Sequence, residues 1–313
     1  MPNLSNREGD LLGDAPKRIP SGRWFHIIVP IMTLCIVSYM DETRADHRGW
    51  LVMVTHNWRN KMSNSPVFIV ASAYGAQVVE IYGQPLLASI AAHSGASGFE
   101  IRRELFPEGD VPLGQLRTAI KESNLIAVYS APLGMWTSDG KINRNQVLAV
   151  FDEAKQVGAS YIKLPLGFYD PLSSDVDELG DSLKEAGPQI HLTVENDPTA
   201  AGGNLRRLRS FFENCTRKGI PVHMTFDFGN WSWSDQDVFE AAEALADYVV
   251  YLHCKEVEDR SAPTGPISGD ANAAWRHVLA RFSRELPRGG EFPIAGDDLR
   301  LSTKQYVRML SLA

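Results

Sequence analysis

The sequence predicts a (β/α)₈ barrel over residues 65–313, preceded by a non-barrel extension at residues 1–64. Three observations predict it. From Pro66 onward a short run rich in β-branched and aromatic residues alternates with a helix-patterned stretch, about eight times over. Eight such units in roughly 250 residues is the usual size of one closed barrel. Charged side chains stand at the ends of the later strands, and a barrel gathers its chemistry at that mouth.

The elements follow in order. VFIVASAYG opens the barrel as strand one, with a helix over 78–93. GFEIRREL is the second strand and 113–122 its helix. LIAVYSAPL is the third, with a helix over 146–157. YIKLPLG is the fourth, followed by a helix over 176–186. IHLTVEND, the fifth, leads to a helix over 205–218, and PVHMTFDFG, the sixth, to one over 238–246. YVVYLHCKEV is the seventh, with a helix over 273–284. EFPIAG is the eighth, and a helix over 303–312 closes the chain. Parallel strands need such crossover helices. An open doubly wound sheet would carry a glycine fingerprint after its first strand, and SAYGAQ is not GxGxxG.

Bulk composition narrows the function. With 31 Lys and Arg against 38 Asp and Glu, the net charge is −7. That balance argues against a nucleic-acid groove, which needs clustered cations, but leaves room for a small anionic substrate. Cys35, Cys215 and Cys254 are odd in number and lack metal-type spacing, so no disulfide framework is expected. A reducing, cytoplasmic compartment suits the barrel.

The extension reads differently. Residues 24–40, WFHIIVPIMTLCIVSYM, are apolar and free of Asp, Glu, Lys and Arg, with basic residues before and acidic ones after. This is near the short limit of a membrane span, and the basic flank would leave the N-terminus in the cytoplasm. RWFHIIVPIMTLCIVSYMD resembles the first transmembrane helix of major-facilitator sugar-acid transporters, but no second span follows, so the chain as it stands is not expected to transport. The expectation is a fused or truncated gene remnant or a start placed too early, with Met62 a plausible native start. A working membrane anchor through 24–40 is the alternative, and 43–64 reads as a linker.

Glu195, Asp227, His253 and Glu291 come from LTVEND, TFDFGN, YLHCKE and GGEFP, four successive units, so they can converge on one point. Three carboxylates and an imidazole form an oxygen-rich set suited to one divalent metal, with Mn²⁺ or Mg²⁺ favoured over Co²⁺ or Zn²⁺. Without a metal, three convergent carboxylates would repel. The competing reading of each is an isolated salt bridge or helix cap.

These segments, VENDP, FDFGNW, YLHCKEV and GEFP, resemble the metal-site segments of the xylose-isomerase-like TIM barrels, the sugar phosphate isomerase/epimerase superfamily. The likeness spans about residues 66–313. It implies that Glu195, Asp227, His253 and Glu291 bind one divalent metal and that Glu195 and Glu291 face each other as base and acid. It implies proton transfer next to the carbonyl of a sugar, sugar phosphate or cyclic polyol through an enediolate, giving isomerisation, epimerisation or, with loss of a β-hydroxyl, dehydration. Dimers or tetramers are expected from the same likeness. Two departures stand out. Asn230 occupies the place where the epimerases often have a second histidine. Glu291 follows Arg288-Gly289-Gly290 rather than an apolar strand, which leaves Asp297 or Asp298 as substitutes.

Other mouth residues complete the expectation. Glu100, Arg102 and Glu104 alternate and so share one face of strand two. Lys163 is a lone lysine in an apolar strand, costly to bury unless paired or facing substrate. Lys255 shares the face of His253. Glu100, Arg102, Lys163, Asn230, Trp231 and Lys255 are the expected substrate contacts, and Trp136, Phe168, Tyr169 and Trp233 either wall the site or form core beneath the loops. Gly265 and Gly269, ahead of Trp275, resemble the family's glycine-bearing loop. A nuclease of the same superfamily would need more histidines and a basic face. A non-catalytic, membrane-tethered ligand-binding barrel is the remaining alternative.

Overall fold

The computed structural model describes residues 64–107, 111–257, 261, 264–294 and 296–313. The apolar stretch at 24–40, its transporter likeness and the linker lie outside the described residues. Among the described residues, no helix is long and apolar enough to cross a membrane.

Eight parallel strands close into a barrel in sequence order. They are β1 (Val67–Val70), β2 (Gly98–Arg102), β3 (Ile126–Ser130), β4 (Tyr161–Pro165), β5 (His191–Glu195), β6 (Val222–Asp227), β7 (Val249–Cys254) and β8 (Arg288–Gly290). β8 pairs with both β7 and β1, so no sheet edge is left open. Between the strands run α1 (Ala76–His93), α2 (Leu113–Glu122), α3 (Arg144–Val157), α4 (Val176–Ala186), α5 (Leu205–Arg217), the short α6 (Asn230–Trp233), α7 (Val238–Leu245), α8 (Ala274–Leu279) and, closing the chain, α9 (Leu299–Leu312). The starts are chemically marked. The side chains of Asp175, Asn204, Asp237 and Asp298 cap α4, α5, α7 and α9 by accepting first-turn N–H bonds.

Strand alternation divides the interior in two. One parity (Ile69, Ile101, Ile162, Leu164, Leu192, Phe226, Leu252) packs outward into the main apolar core under the helices. The other parity fills the lumen, where Phe68, Val128, Tyr161 and Tyr251 form a separate apolar cluster. Above that floor, along the strand direction, the lumen-facing residues turn polar.

Two expectations are corrected. The first strand stops at Val70, and Ala71–Tyr74 form a 3₁₀ turn that leads into α1. The eighth strand is Arg288–Gly290, not EFPIAG. Its composition follows from crowding in the lumen. A Cβ on Gly289 would lie 2.4 Å from the Tyr251 hydroxyl and 2.9 Å from His253 Cδ2. Only glycine fits there, so β-propensity gives no sign of the strand. The buried Arg288 points outward and donates to the carbonyls of Leu310 and Ala313, tying β8 to α9.

Candidate metal centre

One strand parity builds the site. Glu100 and Arg102 share a face of β2. Lys163 comes from β4, Glu195 from β5, Asp227 from β6 and His253 from β7. Register places Asp227 beside His253, and His253 beside Gly289. Two residues further on, just past β8, stands Glu291. The corrected strand thus puts Glu291 at a C-terminal strand end like the other three.

Glu195, Asp227, His253 and Glu291 each offer a ligand atom, and these four atoms lie within 4.8 Å of one another. Nδ1 of His253 is 2.8 Å from Glu195 Oε1, 3.1 Å from Glu291 Oε2 and 3.5 Å from Asp227 Oδ2. A divalent ion fits this set on a specific ground. Glu195 Oε1 and Asp227 Oδ2 are buried oxygens without a hydrogen bond. Buried polar atoms are normally satisfied, and these two oxygens, with only the ion-pair contacts of His253 Nδ1 at 2.8 Å and Lys255 Nζ at 3.0 Å, converge where a cation would complete them. Asp298 is not a substitute ligand, because its carboxylate caps α9 through Leu301 N.

The carboxylates are held by three cations. Lys163 Nζ lies 3.1 Å from Glu100 Oε1 and 2.7 Å from Glu195 Oε2. Lys255 Nζ lies 3.0 Å from both Asp227 Oδ2 and Glu291 Oε2. Arg102 Nη1 donates to Glu291 Oε1 at 2.7 Å, and its Nε to Glu104 Oε1 at 2.6 Å. On the far side of the imidazole, His253 Nε2 is 2.7 Å from Glu100 Oε2.

These neighbours set the acidities of the clustered groups. Burial pushes Glu100 up, but His253 and Lys163 outweigh it and hold the carboxyl well below its ordinary range. Burial likewise opposes ionisation of Glu195 and Glu291. Lys163 and His253 bring the first down, while Lys255, His253 and Arg102 bring the second far down. Asp227 goes the other way. Burial raises it, Lys255 offsets only part, and Glu291 and Glu195 add repulsion. Burial opposes the charge of His253, and Glu100 with the other carboxylates overcomes it, raising the imidazole well above its ordinary range. The cluster therefore favours positive charge at its centre, which a metal would supply.

The expected substrate contacts divide. Arg102 and Lys255 keep 19% and 13% side-chain exposure, so they line the open side of the site. Lys163 and Glu100 do not face the opening, because at 2% and 0% exposure they are locked in ion pairs beneath it. Asn230 donates its side-chain amide to Asn196 O, and its backbone N–H supports Asp227 Oδ1 at 2.8 Å. Trp231 is fully buried against Phe226. Trp136 and Tyr169 are core as well, packed on each other and on Phe211, whereas Phe168 is exposed. A cavity of about 370 Å³ adjoins Lys255, lined also by Glu256, Ser268, Asp270 and Trp275.

Two contributors were not assigned from sequence. Asn196 brackets Asp227, accepting from its N–H at 2.8 Å and donating to its carbonyl at 3.0 Å. Its place beside Glu195 in VEND was the available signal. Tyr251 stands edge-on to His253 at 4.9 Å, and its two-residue spacing from His253 already put both on one face.

A closed (β/α)₈ barrel with three carboxylates and a histidine gathered at its strand ends defines a barrel whose mouth can hold a metal ion. The family comparison is more specific. The chain belongs to the xylose isomerase-like TIM barrel family, whose model matches residues 88–285. No curated protein matches it. Among solved structures, it is similar to a sugar phosphate isomerase/epimerase from Parabacteroides distasonis, with TM-score 0.56 and 15% identity over 81% of this chain and 98% of that one. It is similar to a D-allulose 3-epimerase from a Methylomonas species in complex with D-allulose, with TM-score 0.53 and 16% identity over 78% and 90%. It is also similar to a probable 3-DHS dehydratase from Bacillus anthracis, with TM-score 0.54 and 11% identity over 78% and 98%. At these identities the likenesses establish the fold.

Proposed function

We propose that this protein is a divalent-metal-dependent isomerase or epimerase of a sugar, sugar phosphate or cyclic polyol, working by proton transfer at the carbon next to a carbonyl. The observation that carries the reading is the contrast within the quartet. Asp227 and His253 are fully buried, whereas Glu195 and Glu291 keep 13% and 14% exposure and reach the open side of the site. The buried pair suits a ligand role and the exposed pair suits acid–base work on a substrate.

Glu195, Asp227, His253 and Glu291 would hold the ion, Mn²⁺ or Mg²⁺ by the oxygen-rich set, with Co²⁺ or Zn²⁺ compatible. When bound, it supplies Lewis-acid polarisation of the substrate's carbonyl and hydroxyl oxygens. Glu195 takes the proton from carbon, with Lys163 holding its Oε2 and keeping the carboxylate ionised. Glu291, gripped by Arg102 and Lys255 and so ionised at rest, takes a proton from the substrate's hydroxyl or from solvent and then delivers it to carbon. Return to the opposite face of the same carbon epimerises, and return to the neighbouring carbon isomerises. Arg102 and Lys255, at the open side, orient substrate oxygens.

A dehydratase is the second reading. The same proton loss next to a β-hydroxyl expels water, and the two rim cations suit a carboxylate-bearing cyclic hydroxy-ketone. The test is a panel of ketoses, inososes and cyclic hydroxy-ketones incubated in D₂O with Mn²⁺-loaded protein. Deuterium appearing at the carbon next to the carbonyl, and lost in Glu195→Gln, is expected. A metal-loaded protein that exchanges no proton on any of them counts against the proposal, and loss of water from the product selects the dehydratase.

A further inference from the structure

We propose that Glu100 is the positioning residue of the centre, fixing which nitrogen of His253 and which oxygen of Glu195 face the ion. The inference rests on the metal-centre reading of the quartet.

Glu100 has 0% side-chain exposure, so its two oxygens answer to protein groups and not to solvent. Oε2 is 2.7 Å from His253 Nε2, and Oε1 is 3.1 Å from Lys163 Nζ. An ionised carboxylate only accepts, so the Nε2 nitrogen must carry the hydrogen. That assigns the lone pair of a neutral His253 to Nδ1, the atom nearest Glu195 Oε1, Glu291 Oε2 and Asp227 Oδ2. On the other arm, Lys163 held by Glu100 occupies Glu195 Oε2 at 2.7 Å and leaves Oε1 turned toward His253 Nδ1. One carboxylate from β2 thereby orients donor atoms on β5 and β7. A carboxylate that accepts the second N–H of a ligating histidine is a recurrent way of fixing its tautomer and basicity.

A purely electrostatic role is the competing explanation, and Glu104 provides its control. Glu104 carries the same charge on the same side of the barrel, but it bonds Arg102 and touches neither His253 nor Lys163. The experiment measures Mn²⁺ affinity by competition with a chelating dye for the wild type, Glu100→Ala, Glu100→Gln and Glu104→Gln, with thermal melts as a check of folding. Positioning predicts a loss of about 10- to 100-fold for Glu100→Ala. It predicts a smaller loss for Glu100→Gln, whose single carbonyl can still accept from Nε2 but cannot also hold Lys163. Glu104→Gln should stay within about twofold of wild type.

Folded wild type that binds no metal overturns the centre itself. Wild type that binds while Glu100→Ala binds equally well, or with Glu104→Gln losing as much, overturns only the role of Glu100. If Glu100→Ala does not fold, Glu100→Gln decides, and affinity equal to that of Glu104→Gln is the overturning result.

Discussion

Lys163 and Lys218 each bridge two carboxylates, at opposite ends of the same barrel. Lys163 lies near the C-terminal mouth, 2% exposed, between Glu100 and Glu195. Lys218 stands ahead of β6, 39% exposed, between Asp175 and Asp177. The larger cavity belongs to the second region. It measures about 930 Å³ and is lined by Ile190, Leu192 and Ile220 together with the exposed Asp177, Lys184 and Lys218. The mouth gathers four carboxylates, three cations and an imidazole. The 930 Å³ cavity thus lies apart from the buried charges. What marks the site is charge taken out of water and left incompletely satisfied.

The largest expected effect lies at the mouth. Glu195→Gln should lower proton exchange by about 10²- to 10⁴-fold, the usual worth of a positioned general base, while the melting profile of the metal-free protein stays cooperative. Retained exchange in that variant would remove Glu195 from the acid–base role and leave it as a ligand only.

The two lysines test the comparison directly. Lys163→Met removes one partner of a buried ion pair and leaves Glu100 and Glu195 facing each other, which should cost about 3–5 kcal/mol in urea unfolding. Lys218→Met removes an equally bridged lysine in solvent, where water replaces it, and should leave the urea midpoint unchanged. Similar losses in both would mean that burial does not separate the two ends.

Metal is the next lever. A ligand that binds only the folded state stabilises it by about 2.7 kcal/mol when present at 100 times its Kd. Adding Mn²⁺ to chelator-treated protein should therefore raise the melting temperature by several degrees, and Asp227→Asn should abolish the rise. A rise that persists in the variant would place the ion elsewhere.

The barrel was legible because parallel strands and crossover helices impose a local rhythm on the chain. The quartet was legible because strand C-termini carry polar residues where core residues are the rule. What escaped depended on contacts between distant residues. Gly289 is dictated by Tyr251 and His253 of the neighbouring strand, so β8 was sought three residues too late, at EFPIAG. Lys163 was expected to meet either substrate or a carboxylate, and only the fold names its partners, Glu100 and Glu195, because nothing in YIKLPLG identifies them. Trp231 was an expected substrate contact, yet a tryptophan after a barrel strand packs under the loop as readily as it faces the mouth, and here it meets Phe226.

The smallest effect comes from the end with the larger cavity. Gly180 sits inside α4, where alanine is favoured over glycine by up to about 1 kcal/mol. A Cβ there would meet Ile220 Cγ1 at 3.2 Å and Cδ1 at 3.3 Å, so the sign depends on whether Ile220 can give way. Gly180 and Ile220 both line the 930 Å³ cavity, which offers the isoleucine room to turn. Gly180→Ala should therefore stabilise the protein by a fraction of a kcal/mol to about 1 kcal/mol, with proton exchange and Mn²⁺ affinity unchanged. A lower urea midpoint would show that Ile220 is held in place, and that this end of the barrel is packed more tightly than its open volume suggests. A change in Mn²⁺ affinity would couple the two ends, which the separation of charge and cavity gives no reason to expect.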